Sequence, residues 1–226
     1  MSRKKKRGYV TESEKRILKA LTKGAKWLYE LYPKKGEKER GKYPVGSNKT
    51  ALQGLKHLNK LGLIELKKEL SELRGRKRKF YGLTFKGLVY LVKQNLIDKK
   101  EASIIREKNN IEIPAIPMFH SLVVDMEKNY PEIFYGFFGE GVLDLETVTN
   151  ELLASITTLI GFITFLTLPK VNPQHFKRYI RGKDIVLSDG TVLEDYETAI
   201  KLFYAFGKPM FPKWLQESLE QALKGE

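Results

Sequence analysis

The sequence predicts a mainly α-helical chain with small β-hairpins, divided into a basic N-terminal domain and a mostly helical C-terminal domain. Three observations predict it. Apolar residues recur at helical spacing along most of the chain, behind residues suited to capping helices. Two short segments, around 63–84 and 185–193, carry hairpin signals. Charge is split unevenly: residues 1–95 carry 27 Lys and Arg against 8 Asp and Glu, a net of +19, whereas 96–226 carry 14 against 19, a net of −5, together the +14 of the chain.

The 226 residues leave room for one large domain or two small ones, and 42% hydrophobic with 30% charged residues is a globular composition. The absence of cysteine excludes disulfides, thiolate metal sites and cysteine nucleophiles, and fits an intracellular, cytoplasmic setting. The opening MSRKKKRGYV has no apolar run behind its charge, so it does not read as a secretory signal. A basic half beside an acidic half suits a polyanionic partner, and nucleic acid is the usual one, because each neutralised phosphate releases counterions. A merely solvated lysine surface would bring matching glutamate, which the first half lacks.

Residues 1–9 read as a disordered basic arm, for nothing in Arg3–Arg7 can be buried. Such an arm can follow phosphates, solubilise the chain or serve as a localisation signal. Thr11 and Glu14 have capping-box spacing, and Ile17, Leu18 and Leu21 share one face of the helix that follows, which Gly24 ends. A short second helix is expected over about 25–32, with Trp27, Leu28 and Leu31 buried and Pro33 closing it. Residues 34–46 form a charged loop. Its Gly36–Lys42 stretch nearly matches a phosphate loop, but Tyr43 stands where Ser or Thr must hold magnesium, and no strand precedes it.

The third helix is the most informative. Ser47 caps it, Gly62 stops it, and Ala51, Leu52, Leu55 and Leu58 are expected to form its packed stripe. Its other face carries Asn48, Lys49, Gln53, Lys56 and Lys60, and no acid. Asn and Gln can pair bidentately with adenine, and Lys can reach guanine or phosphate. Residues 63–66 read as a strand, 68–78 as a charged segment ending Arg-Gly-Arg-Lys-Arg, and 79–84 as the returning strand. Arginines at such a tip suit the negative potential of a narrow minor groove. Thr84 then caps another helix, Phe85 to about Asn95.

Two stretches carry a resemblance: Leu52-x-x-Leu55-x-x-Leu58-x-x-Leu61-Gly62-Leu63-Ile64, and Tyr81-Gly82-Leu83-Thr84-Phe85-Lys86-Gly87. Residues 10–95 resemble a winged helix-turn-helix domain, close in pattern to archaeal and bacterial regulators of the PadR and MarR type. The resemblance implies that the third helix enters the major groove of double-stranded DNA and that the hairpin, the wing, reaches the adjacent backbone or minor groove. Asn48, Lys49, Gln53 and Lys56 would then read bases or phosphates, and Arg74, Arg76, Lys77 and Arg78 would be wing contacts. With Ser47 and Lys60 these form the candidate DNA-binding set. The loop before the third helix is longer than a simple helix-turn-helix allows.

Residues 96–115 read as a linker helix and a break marked by Pro114 and Pro117, and 116–226 as a helical dimerisation, effector or partner domain. Residues 131–141 are expected to be an aromatic-rich loop whose Phe134, Tyr135, Phe137 and Phe138 belong to the core. Residues 152–168 are seventeen residues without a charge, at the lower limit for a membrane span; a buried or dimer-interface helix is the favoured reading. A short basic helix over 173–181, a tight hairpin at Ser188-Asp189-Gly190-Thr191 and two closing helices, 194–206 and 212–223, complete the chain.

Chemistry is sparse. His57, His120 and His175 lack partners at metal-ligand spacing, and the acidic group Asp184, Asp189, Glu194 and Asp195 is what turns and helix starts commonly hold. The sequence therefore predicts no enzyme, no cofactor and no metal. It predicts sequence-specific duplex DNA binding by a homodimeric transcriptional regulator, with a protein partner or small effector on the C-terminal domain. A replication, partition or other mobile-element protein on the same fold is the alternative.

Overall fold

The computed structural model describes residues 9–33, 43–71, 77–139, 144–145, 147–180, 201, 204–205, 208, 211 and 213–224. The chain is mainly helical with a small three-stranded antiparallel sheet. It divides into two compact units: the first takes residues 1–112 and 130–150, the second 113–129 and 151–226.

In the first unit, α1 (Glu12–Leu21) opens on a complete capping box, with Thr11 accepting from the Glu14 amide and Glu14 closing back on Thr11. Residues expected as a second helix fold instead as a two-residue strand, β1 (Lys26–Trp27), and one 3-10 turn (Leu28–Glu30). The reason is tertiary: Lys26 and Trp27 pair across the sheet with Tyr81 and Phe80. Of the expected apolar set, Leu31 is fully buried, whereas Trp27 and Leu28 are half-buried.

Helix α2 (Asn48–Lys60) is capped by Ser47, whose hydroxyl accepts from the Thr50 amide. Gly62, at φ +70°, ends it, and the Leu63 amide turns back to the Leu58 carbonyl. Its buried stripe is Ala51, Gly54, Leu55 and Leu58. Leu52 was expected there and lies outside it, 42% exposed, because one residue rotates the side chain about 100° off the stripe. A Cβ at Gly54 would stand 2.7 Å from Ile17 Cδ1, so α1 and α2 meet at this glycine.

Strands β2 (Ile64–Ser71) and β3 (Lys77–Leu83) pair antiparallel, with an irregularity between Leu66 and Lys68, and the sheet order is β1-β3-β2. Both strands extend into 68–78, expected as the charged segment and tip of the hairpin.

Helix α3 (Phe85–Lys93) explains the Thr84-Phe85-Lys86-Gly87 stretch. Thr84 donates to the Gly62 carbonyl at 2.6 Å and accepts from the Gly87 amide. Lys86, almost wholly buried, donates from Nζ to the Leu61 carbonyl at 2.6 Å, where the orphan acceptors and negative pole of α2 lie. A Cβ on Gly87 would come within 2.0 Å of the Leu63 carbonyl oxygen, so only glycine lets α3 approach this closely. These contacts fasten α2 to the base of the hairpin.

Helix α4 (Lys99–Lys108), capped by Asp98, belongs to the first unit, where Asn109 donates to the Thr22 carbonyl at 3.1 Å. The aromatic segment forms a helix (Pro131–Gly139, α6), not a loop. Proline suits its first turn, and burial of Phe134 and Phe138 against Phe85, with Tyr135 packed on Phe134, holds it. Phe137 is exposed, contrary to its expected place in the core.

The second unit contains α5 (Pro117–Asn129), α7 (Asn150–Val171), α8 (Pro173–Ile180) and α9 (Lys213–Lys224). Small size at Gly161 lets α5 approach α7: a Cβ there would meet Phe119 at 2.6 Å and Val123 at 2.8 Å. Phe165 of α7 packs near Phe176 and Tyr179 of α8. Thr157 donates to Pro114 and Leu153 carbonyls, and Thr158 accepts from the Ile116 amide, so the threonine pair serves the 113–117 segment. By length and hydropathy α7 could cross a membrane, with a third of its most apolar window buried. The expected hairpin at 188–191 lies outside the described residues, as does most of 194–206.

Candidate nucleic-acid interface

Helix α2 presents one continuous exposed face. Ser47, Asn48, Lys49, Gln53, Lys56 and Lys60, all singled out in the sequence, are exposed, and Leu52 and Asn59 join them. No acidic residue occurs in α2, and its first turn contains none. Among the described residues no carboxylate lies within ion-pair distance of Lys49, Lys56 or Lys60. The face therefore carries uncompensated positive charge, amide groups able to donate and accept together, and one apolar side chain.

Its position is held from behind. Glu14 of α1, 4% exposed, accepts from His57 Nδ1 of α2 at 2.9 Å while also holding Thr11. Lys86 and Thr84 hold the far end through Leu61 and Gly62. Both sets of contacts lie opposite or beyond the exposed face, so a ligand can meet that face without displacing them.

The hairpin is unusual for a sheet element. From Glu65 to Ser71 every residue of β2 is exposed, and so are Lys77, Arg78 and Lys79 of β3. Successive side chains point to opposite faces, so this ribbon shows both faces to solvent. A ribbon without a packed face is marginal unless contacts between strands support it. Lys77 pairs with Glu69 across the ribbon at 3.0 Å, and the Arg78 guanidinium lies 4.4 Å from the Trp27 ring centre. Trp27 in turn packs on Tyr29, and Tyr29 on Tyr32. The lysine beside Glu69 holds that carboxyl below the usual glutamate range.

The sequence thus placed Lys77 and Arg78 on the exposed ribbon, where they also make contacts within the protein. Arg74 and Arg76 lie outside the described residues. Missed in the sequence were Leu52, Lys68 and Lys79, all exposed beside the named residues. Strand alternation gave no signal for the lysines, because it predicts one buried face and the ribbon has none. The near phosphate-loop stretch 36–42 and the acidic residues Asp184, Asp189, Glu194 and Asp195 lie outside the described residues. Among the described residues no three His, Asp or Glu side chains gather as metal ligands. His57 faces Glu14, and His175 meets Asp125 at 3.0 Å.

No protein-family model, curated protein or solved structure matches the chain.

Proposed function

We propose that the first unit is a winged helix module that binds double-stranded DNA, with α2 in the major groove and the β2–β3 ribbon as the wing. The observation that carries this reading is the acid-free exposed face of α2. An ordinary solvated helix face mixes acids with bases, whereas a face built for phosphates and base edges omits the acids. The element order also favours it: helix, short strand, helix, then a hairpin whose second strand pairs with the first. The two-faced cationic ribbon has a use as a wing and none as a core element.

Within this reading the protein acts as a transcriptional regulator and pairs with a second copy through α7. Leu152, Ile156, Leu159, Ile163 and Leu166 follow one another at alternating steps of four and three residues along α7, the spacing of a two-helix seam. Leu152, Leu159 and Ile163 are exposed. A dimer would match a two-fold symmetric DNA site.

Electrophoretic mobility shift with mixed duplexes at rising salt tests the DNA reading. Binding should weaken steeply and log-linearly with salt. Affinity indifferent to salt, or no binding to any duplex, overturns it.

A further inference from the structure

Leu52 is the one apolar side chain on the exposed face of α2. It was expected in the packed stripe of α2, yet 42% of it is exposed, and Ala51, Gly54, Leu55 and Leu58 fill the stripe without it. Helical geometry puts it near the middle of the exposed face. Asn48 and Lys56 lie one turn to either side, and Lys49 and Gln53 are beside it. A lone leucine among amides and lysines is too small a patch for a protein partner, and lysines on its flanks disfavour one. The occupant of this face must carry negative charge and still offer an apolar group at its centre.

We propose that Leu52 reads the 5-methyl group of thymine, and that α2 is thereby selective for A·T base pairs in the major groove. This rests on the duplex DNA reading above. Thymine methyl is the one apolar group that the major groove displays, and adenine on the opposite strand presents N6 and N7 to a bidentate amide. Asn48 and Gln53 supply such amides on the same face. Cytosine is read by a carboxylate accepting from its amine, and α2 has no carboxylate. Lys can also reach guanine, so A·T selectivity requires that the lysines serve phosphates around this patch, and the composition of the selected sites reports which they do.

The test uses the full chain and duplexes selected from a random pool. Selected sites should be enriched in A·T pairs. Each thymine is then replaced singly by deoxyuridine, which keeps the base pair and removes only the methyl. At the contacted position the native protein should lose about fourfold in affinity, the value of one buried methyl-sized group. Leu52→Ala should bind the thymine site more weakly and should not distinguish thymine from uracil there. Leu52 is exposed, so the variant keeps its fold, which a thermal melt verifies. Indifference to deoxyuridine at every position, persistence of the loss in Leu52→Ala, or selection of G·C-rich sites overturns the assignment. Salt-dependent duplex binding with no methyl effect would remove Leu52 as the reader while leaving the DNA reading in place. Absence of duplex binding would remove both.

Discussion

Glu14 of α1 accepts a hydrogen bond from His57 Nδ1 of α2 at 2.9 Å, and the same carboxylate closes the cap of α1 on Thr11. One buried acid thus sets the start of the first helix and the seat of the second. Glu14→Ala removes the cap and leaves the imidazole N–H without its acceptor. The expected cost is about 2–3 kcal/mol, with a fall of several degrees in Tm. His57→Ala removes only the second contact and should cost less. Thermal unfolding of the two variants checks the order; equal melting to the native chain would show that this contact carries no stability.

Gly87→Ala tests how α3 meets the hairpin base. The added Cβ would stand 2.0 Å from the Leu63 carbonyl, and backbone cannot yield as a side chain can. Loss of more than about 3 kcal/mol, or failure to accumulate as soluble protein, is expected. Gly46→Ala is the control, since a Cβ there meets nothing within 4 Å. Similar melting of both variants would contradict the close approach.

Lys49 and Lys56 are exposed on the acid-free face of α2. If each neutralises one phosphate, Lys49→Ala/Lys56→Ala should flatten the log–log salt slope of binding by about 1.8. Lys213→Ala, on α9 of the second unit, should leave the slope unchanged. An unaltered slope in the double variant would move the phosphate contacts elsewhere.

Glu69 is paired across the ribbon with Lys77. Lys77 lowers its proton affinity, so the pair is intact above the usual glutamate range and is lost only as pH falls through the lowered value. A carboxyl-carbon titration by NMR should give Glu69 a midpoint below that of ordinary glutamates, rising toward normal in Lys77→Met, where only Lys79 still lowers it. Glu69→Gln should tighten duplex binding and steepen its salt slope, because a negative charge leaves the ribbon and Lys77 is released. Weaker binding would argue that the pair orders the ribbon for its ligand.

The seam on α7 is open to a size measurement. The native chain should scatter light as a dimer, and Leu159→Glu/Ile163→Glu as a folded monomer. A native monomer, or a variant that remains dimeric, removes α7 as the interface. Recovery of the native chain only with detergent would favour a membrane instead.

What could be read along the chain was local. Caps at Thr11, Ser47 and Thr84 announce themselves through spacing of a few residues, and so does the acid-free face of α2. The basic hairpin was legible from its strands and glycine. Contacts between distant residues decided the rest. Lys26 and Trp27 are strand rather than helix because β3, more than fifty residues later, offers its edge. Residues 131–139 are helix because Phe85 gives their aromatic face somewhere to pack. Leu52 is exposed because neighbouring residues already fill the interface with α1. Local hydrogen bonds and periodicity depend on near neighbours in sequence, whereas pairing and burial depend on which surfaces folding brings together.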